Sequence, residues 1–159
     1  LEHKELYEQF HLDEPWDSPT NAKVLEQIPG VYQVHGTEKE STNACYFAIV
    51  GKETGFNPAG GGLQYKDFLD GTSNTLLVVE SKRDIPWTKP QDIDYSSDKP
   101  LTQLGGFGQG GFAFVDGTGR PFFIADGFSE KLLRHVIGRN DVKTTGAIDL
   151  RELLRNRAH

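Results

Sequence analysis

The chain has no methionine and a single cysteine, and basic residues are outnumbered, 17 Lys and Arg against 23 Asp and Glu. One cysteine excludes an internal disulfide. With only Cys45 and five scattered histidines, no zinc-ligand spacing is present. The net charge of -6, without a stripe of Lys or Arg, argues against sequence-independent binding to a phosphate backbone, so no nucleic acid is expected as a partner. No apolar run of the displayed residues reaches membrane-spanning length, and they contain no signal-peptide core. Leu1 cannot be a translated initiator. With no Met anywhere, the sequence reads as a fragment or processed product, and residues 1–10 as the end of an upstream helix or a linker.

What is present is a folding composition. Apolar residues make up 36% and charged residues 25%, and 10 Phe, 5 Tyr and 2 Trp are available for burial, more than a disordered segment carries. A length of 159 residues suits one compact domain, so residues 1–159 are read as a single α+β domain. The expected sheet is mainly antiparallel and packs against short helices, because helices of this length need apolar partners.

Residues 21–28 read as a short helix, with Thr20 or Asn21 near its cap and Pro29-Gly30 as its stop. Strands are expected at 31–34, 46–50, 76–80, 112–115 and 122–124 from β-branched and aromatic enrichment. Asp116-Gly117 should turn the last two into a hairpin, and Pro121 places the returning strand at a sheet edge. Ser129 caps a helix over 130–137, which Gly138 ends, and a last helix is expected over 150–155. The stretch 81–111 is a long polar connection punctuated by proline and glycine. Gly60-Gly61-Gly62 lacks the Lys-Ser or Lys-Thr that follows a phosphate-binding loop, so a turn is the better reading.

Two acidic groups stand out. Asp67, Asp70 and Glu80 flank one turn and strand, with Asn74 as a further oxygen donor, and Asp13, Glu14 and Asp17 cluster near Trp16. Converging oxygens suit calcium, yet no twelve-residue calcium loop is visible, and acidic side chains bonding their own turns are the better reading. Glu80 has Lys82 and Arg83 as nearby ion-pair candidates. Cys45, in an apolar run with no base beside it, reads as a buried hydrophobe. Trp16 and Trp87 both follow proline. Their indoles can close over the core, or form an aromatic face for a glycan or peptide with Asp17, Thr88 and Lys89 supplying polar contacts.

The ordered motifs Asp70-Gly71-Thr72-Ser73-Asn74-Thr75 with Val79-Glu80, Pro86-Trp87-Thr88-Lys89-Pro90, and Phe114-Val115-Asp116-Gly117 before Phe122-Phe123-Ile124 carry a family resemblance. Together with Glu14-Pro15-Trp16-Asp17-Ser18-Pro19-Thr20-Asn21, they resemble the planctomycete domain of unknown function associated with prepilin-type proteins and the H-x9-D-G motif. The match runs over approximately Phe10 to Arg139. One departure is plain: Gly106 stands where the motif histidine would fall. The resemblance implies a pseudopilin-like α+β fold, an N-terminal membrane-anchoring helix upstream of this sequence, and a periplasmic or cell-surface location. It also implies protein partners or self-assembly.

The functional expectation is therefore a noncatalytic, exported structural or interaction domain without a cofactor, calcium being the open alternative. Two other readings stand beside it: a hydrolase with an acidic or Ser-centred site near Asp70–Ser73, and a glycan- or peptide-binding module built on Trp16 and Trp87. The candidate ligand-binding residues are Trp16, Asp17, Asp70, Asn74, Glu80, Trp87, Thr88 and Lys89.

Overall fold

A computed structural model describes residues 3–33, 41–101, 104–108 and 110–141. Its centre is a five-stranded mixed sheet: β1 (Tyr46–Val50), β2 (Leu76–Glu80), β3 (Ile93–Asp94), β4 (Gly111–Asp116) and β5 (Pro121–Ala125), in the order β3-β1-β2-β4-β5. Every neighbouring pair is antiparallel except β1 and β3. Short helices α1 (Lys4–Tyr7) and α2 (Ala22–Leu25) precede the sheet, and α3 (Glu130–Ile137) follows it. The molecule is an α+β domain, with its strands at 46–50, 76–80, 112–115 and 122–124 as expected from the sequence.

Period-two side-chain alternation sorts each strand into a covered and an outward set. Phe47, Val79, Phe114 and Phe122 are successive cross-strand partners, forming one row on the covered face. Ile49 pairs with Ile93, and Phe112 with Ile124, on the same side. Leu133, Val136 and Ile137 of α3 close this core, all at 1% exposure or less. Their positions i, i+3 and i+4 form the apolar stripe that an amphipathic helix turns inward. Ser129 caps α3 by accepting a hydrogen bond from the Leu132 N–H. Cys45 is buried beside the sheet.

Hairpin β4–β5 is held at its tip by Asp116. Its Oδ1 accepts from Thr118 N (2.8 Å), Thr118 Oγ1 (2.6 Å) and Arg120 N (3.1 Å). Gly117 N donates to the carbonyls of Thr72 and Thr75, welding this tip to the 3₁₀ turn Thr72–Asn74 that feeds β2. A Cβ at Gly117 would sit 2.8 Å from Thr72 O, so the approach requires glycine.

Three local expectations need correction. The strand expected at 31–34 is absent over its described residues: Gly30–Tyr32 is a 3₁₀ turn, and Val34 lies outside the described residues. Tyr32 serves an aromatic stack instead of a ladder, which overrides its β propensity. The helix expected over 21–28 shortens to Ala22–Leu25, because the Asn21 side chain, buried at 1%, bonds the 11–15 loop instead of the helix start. The 81–111 connection contains β3, whose two residues are too few to show periodicity; Tyr95 N donates to Val50 O beside it. Gly138 does end α3, but with an ordinary φ of -67°. Its missing side chain leaves room for Asp141, whose carboxylate oxygen would lie 2.5 Å from a Cβ there. The helix expected over 150–155 lies outside the described residues.

Candidate functional site

The expected site residues fall in three places. The first surrounds Trp87. Its backbone N–H donates to Thr42 O and its indole Nε1 to Leu25 O, each at 2.9 Å, so both ends of the residue are fixed. The Tyr32 ring stacks on the indole at 5.4 Å between centroids, and Phe10 meets it edge-on at 5.9 Å. Such ring pairs add roughly 0.5–1.5 kcal/mol each beyond the area they bury.

This three-ring cluster forms the wall of a cleft of about 430 Å³, whose other side is the N-terminal helix, with His3, Leu6 and Tyr7 facing the aromatic wall. Tyr7 in its lining is 62% exposed and Val31, the chain neighbour of Tyr32, is 51% exposed, so the cleft opens onto an apolar surface. Asn21 holds the geometry. Its Nδ2 donates to the carbonyls of His11 and Pro15, and its Oδ1 accepts from His11 N, which fixes the loop joining α1 to α2. Trp16 lies half-buried outside this wall, with the Lys89 ammonium 5.8 Å from its ring centre. Asp17 is exposed, and the buried Thr88 Oγ1 has no hydrogen-bond partner among the described residues.

The second place is the turn that enters β2. Asn74 Nδ2 donates to Asp70 O at 2.9 Å, as expected of an amide stabilising its own turn. The Asp70 carboxylate reaches a distant segment: its Oδ2 accepts from Asp141 N at 2.7 Å, while Asp70 N donates to Arg139 O. Arg139 Nη1 donates to the carbonyls of Lys52 and Thr54, both at 2.7 Å, and Leu69 N donates to Asn140 Oδ1. Residues 138–141 thus clasp two loops at one end of the sheet. His135 Nδ1 lies 3.6 Å from Asp141 Oδ2, an electrostatic neighbour beyond hydrogen-bond length. The polar run Gly138-Arg139-Asn140-Asp141 directly after an apolar helix was the available signal for this clasp.

Burial, and then the charge of Asp70, push the Asp141 carboxyl above its usual range, against an opposing pull from His135. A raised acid pKa means that the folded state holds this proton more tightly than the unfolded chain does. Stability contributed by the protonated form is therefore lost as pH rises from the ordinary carboxylate range, about 4, through the raised folded value. Asp141→Asn should remove that loss, so that in urea titrations the variant gains on the wild type between pH 4 and pH 7. A difference independent of pH would contradict the assignment.

The third place is Glu80, at the opposite end of β2 and only 2% exposed. Its carbonyl accepts from Gly105 N, where the strand leaves β4, and its Oε2 accepts from Ala113 N at 2.8 Å. The side chain thereby replaces a ladder carbonyl for β4. Its Oε1 is buried without a partner among the described residues. Neither expected ion pair forms: Lys82 is exposed, while Arg83 lies over the Phe47 ring and donates to Asp92 O. Across the strand, burial and then the Glu80 charge push the Tyr46 phenol above its usual range.

Asp70 and Glu80 thus terminate opposite ends of one strand and serve different partners, and Trp16 and Trp87 belong to a third region. Among the described residues, no three His, Cys, Asp or Glu side chains gather as a metal-ligand group, and no helix is long and apolar enough to cross a membrane. No protein-family model, curated protein or solved structure matches the chain.

Proposed function

We propose that the domain is a noncatalytic interaction module that receives an apolar or aromatic side chain of a protein partner in the cleft beside Trp87. The observation that carries this reading is the cleft itself: Phe10, Tyr32 and Trp87 form a wall fixed by ring packing and two hydrogen bonds of Trp87, open toward exposed Tyr7 and Val31. Mostly apolar clefts with a few polar groups are the usual form of a binding site, and rigid aromatics supply contact area with little entropy to lose. The resemblance of the ordered motifs to the prepilin-associated family supports a setting in an exported surface or periplasmic assembly, where the partner is another protein or another copy of this one.

Selection from a displayed peptide library should enrich sequences centred on Phe, Trp or Leu. The Trp87→Ala variant should bind the enriched peptides at least about tenfold more weakly, equivalent to about 1.4 kcal/mol. Undiminished binding by Trp87→Ala would overturn the reading. Enrichment on a glycan array with no peptide binding would favour the glycan module instead, with Trp16 and Lys89 as the second contact. Fractionation of the native host, with an antibody against the domain, tests the exported setting; a product confined to the cytoplasm would remove it.

A further inference from the structure

The two edges of the sheet are unlike. β3 is two residues long, follows Asp92 and ends in Asp94, the short and charged form that discourages pairing with another chain. β5 forms the other edge with five residues, Pro121-Phe122-Phe123-Ile124-Ala125, and carries no charge. Asp116 N donates to Arg120 O and Asp126 N to Gly110 O, which places the ladder bonds to β4 at residues 120, 122, 124 and 126. The backbone groups of 121, 123 and 125 therefore point away from β4. The N–H groups of Phe123 and Ala125, and the carbonyls of all three residues, have no hydrogen-bond partner among the described residues. Pro121, Phe123 and Ala125 are all exposed, Phe123 at 46%. Pro121 has no N–H to offer, and its place at the start of the strand leaves the other two donors usable.

We propose that this edge pairs antiparallel with β5 of a second copy of the chain, about a two-fold axis at Phe123. Such an axis makes the interface self-complementary, so each residue faces the one equally far from Phe123 on the other side. Phe123 N–H then donates to the Phe123 carbonyl of the second copy, and Ala125 N–H to the Pro121 carbonyl, in both directions. Every outward N–H of both strands is used. Phe122 faces Ile124, and Arg120 faces Asp126, each pair occurring twice. Charge decides this register. Asp126 is exposed and makes no ion pair among the described residues. The Arg120 side chain, 54% exposed, lies with its guanidinium over the Phe122 ring, on the face where Asp126 also falls by period two. An axis at Ile124 would use the same N–H groups but set Arg120 against Phe128 and Phe122 against Asp126, leaving both charges without an opposite partner. Opposite charges and apolar pairs directly across two strands stabilise their pairing. The Trp87 cleft is no part of this surface: Trp87 is tied to Thr42 ahead of β1, with β2 and β4 between β1 and β5.

Sedimentation velocity and amide exchange of the full chain test the pairing. The wild type should pass from monomer to dimer as concentration rises, and the Phe123 and Ala125 amides should exchange at least about tenfold more slowly in the dimer. Asp126→Arg sets like charges against each other at both ends of the pairing and should raise the dimer Kd at least about tenfold. Arg120→Asp should weaken it likewise, and an equimolar mixture of the two variants should recover the wild-type affinity, because each supplies the charge the other needs. If Arg120→Asp unfolds through its approach to Asp116, the exposed Asp126→Arg variant decides alone. A monomer at every concentration up to millimolar would overturn the proposal and leave the edge to a strand of another protein. So would a dimer in which the Phe123 and Ala125 amides exchange as fast as in the monomer, and so would one that Asp126→Arg leaves intact.

Discussion

Phe114→Ala is expected to lower the unfolding free energy by about 3–5 kcal/mol, the range for emptying a buried aromatic site. Phe114 is 2% exposed, lies in the central row between Val79 and Phe122, and stacks on the Phe122 ring at 5.2 Å. Phe114 on β4 and Val79 on β2 sit on strands held by ladders on both sides, so the hole cannot collapse fully. In thermal unfolding this corresponds to roughly 2–4 °C per kcal/mol for a chain of this size. Tyr65→Ala, at a side chain 85% exposed, should stay within about 0.5 kcal/mol of the wild type. Equal losses at the two positions would contradict the assignment of the core.

Asp116→Ala should come next, at about 2–4 kcal/mol. Its carboxylate is fully buried and accepts three hydrogen bonds from Thr118 and Arg120. Bonds to charged groups contribute about 1.5–3 kcal/mol each in isolation, but Thr118 and Arg120 are exposed and regain water when the acceptor is lost. The Arg120 guanidinium at 3.6 Å is itself largely solvated, so its attraction adds little. Asp116→Asn keeps a carbonyl oxygen for the same donors and should recover more than half of the loss. A result in which Asn is as damaging as Ala would mean that the negative charge, and not the turn geometry, holds the hairpin.

Strong periodic segments were legible in the sequence because one physical cause dominated each of them. The run 76–80 is apolar enough to demand burial, 112–124 carries its own turn chemistry, and 130–137 combines a Ser cap with an apolar stripe. Tyr32 illustrates the opposite case. Its β propensity is intrinsic, while its place in a tight turn depends on Trp87, more than fifty residues later. Asn21 was readable as a polar residue beside a helix start, but not as a buried clamp on the loop before it.

The candidate site was legible in part. Trp87 was singled out from the sequence, and the structure adds Phe10 and Tyr32 to it. Asp70 and Asn74 share one turn as their spacing implied, yet the distant partners of Asp70 could not be read from local spacing: Arg139 and Asp141 reach it only because α3 returns the chain to the entrance of β2. Glu80 shows how composition misleads at close range. Adjacent Lys82 and Arg83 suggested an ion pair, whereas the carboxylate accepts from the Ala113 N–H of the neighbouring strand β4 and Arg83 lies over Phe47.

The two tryptophans provide a direct assay of the aromatic cleft, because a nitrogen–proton correlation spectrum contains only two indole N–H signals. Titration with a peptide carrying a Phe or Trp anchor should move the Trp87 indole signal and the backbone signals of Phe10 and Tyr32, while the signals of Asp70 and Asp141 stay in place. Shifts confined to the Asp70–Asp141 clasp, with the Trp87 signal unmoved at saturating peptide, would contradict the assignment of the cleft as the binding surface.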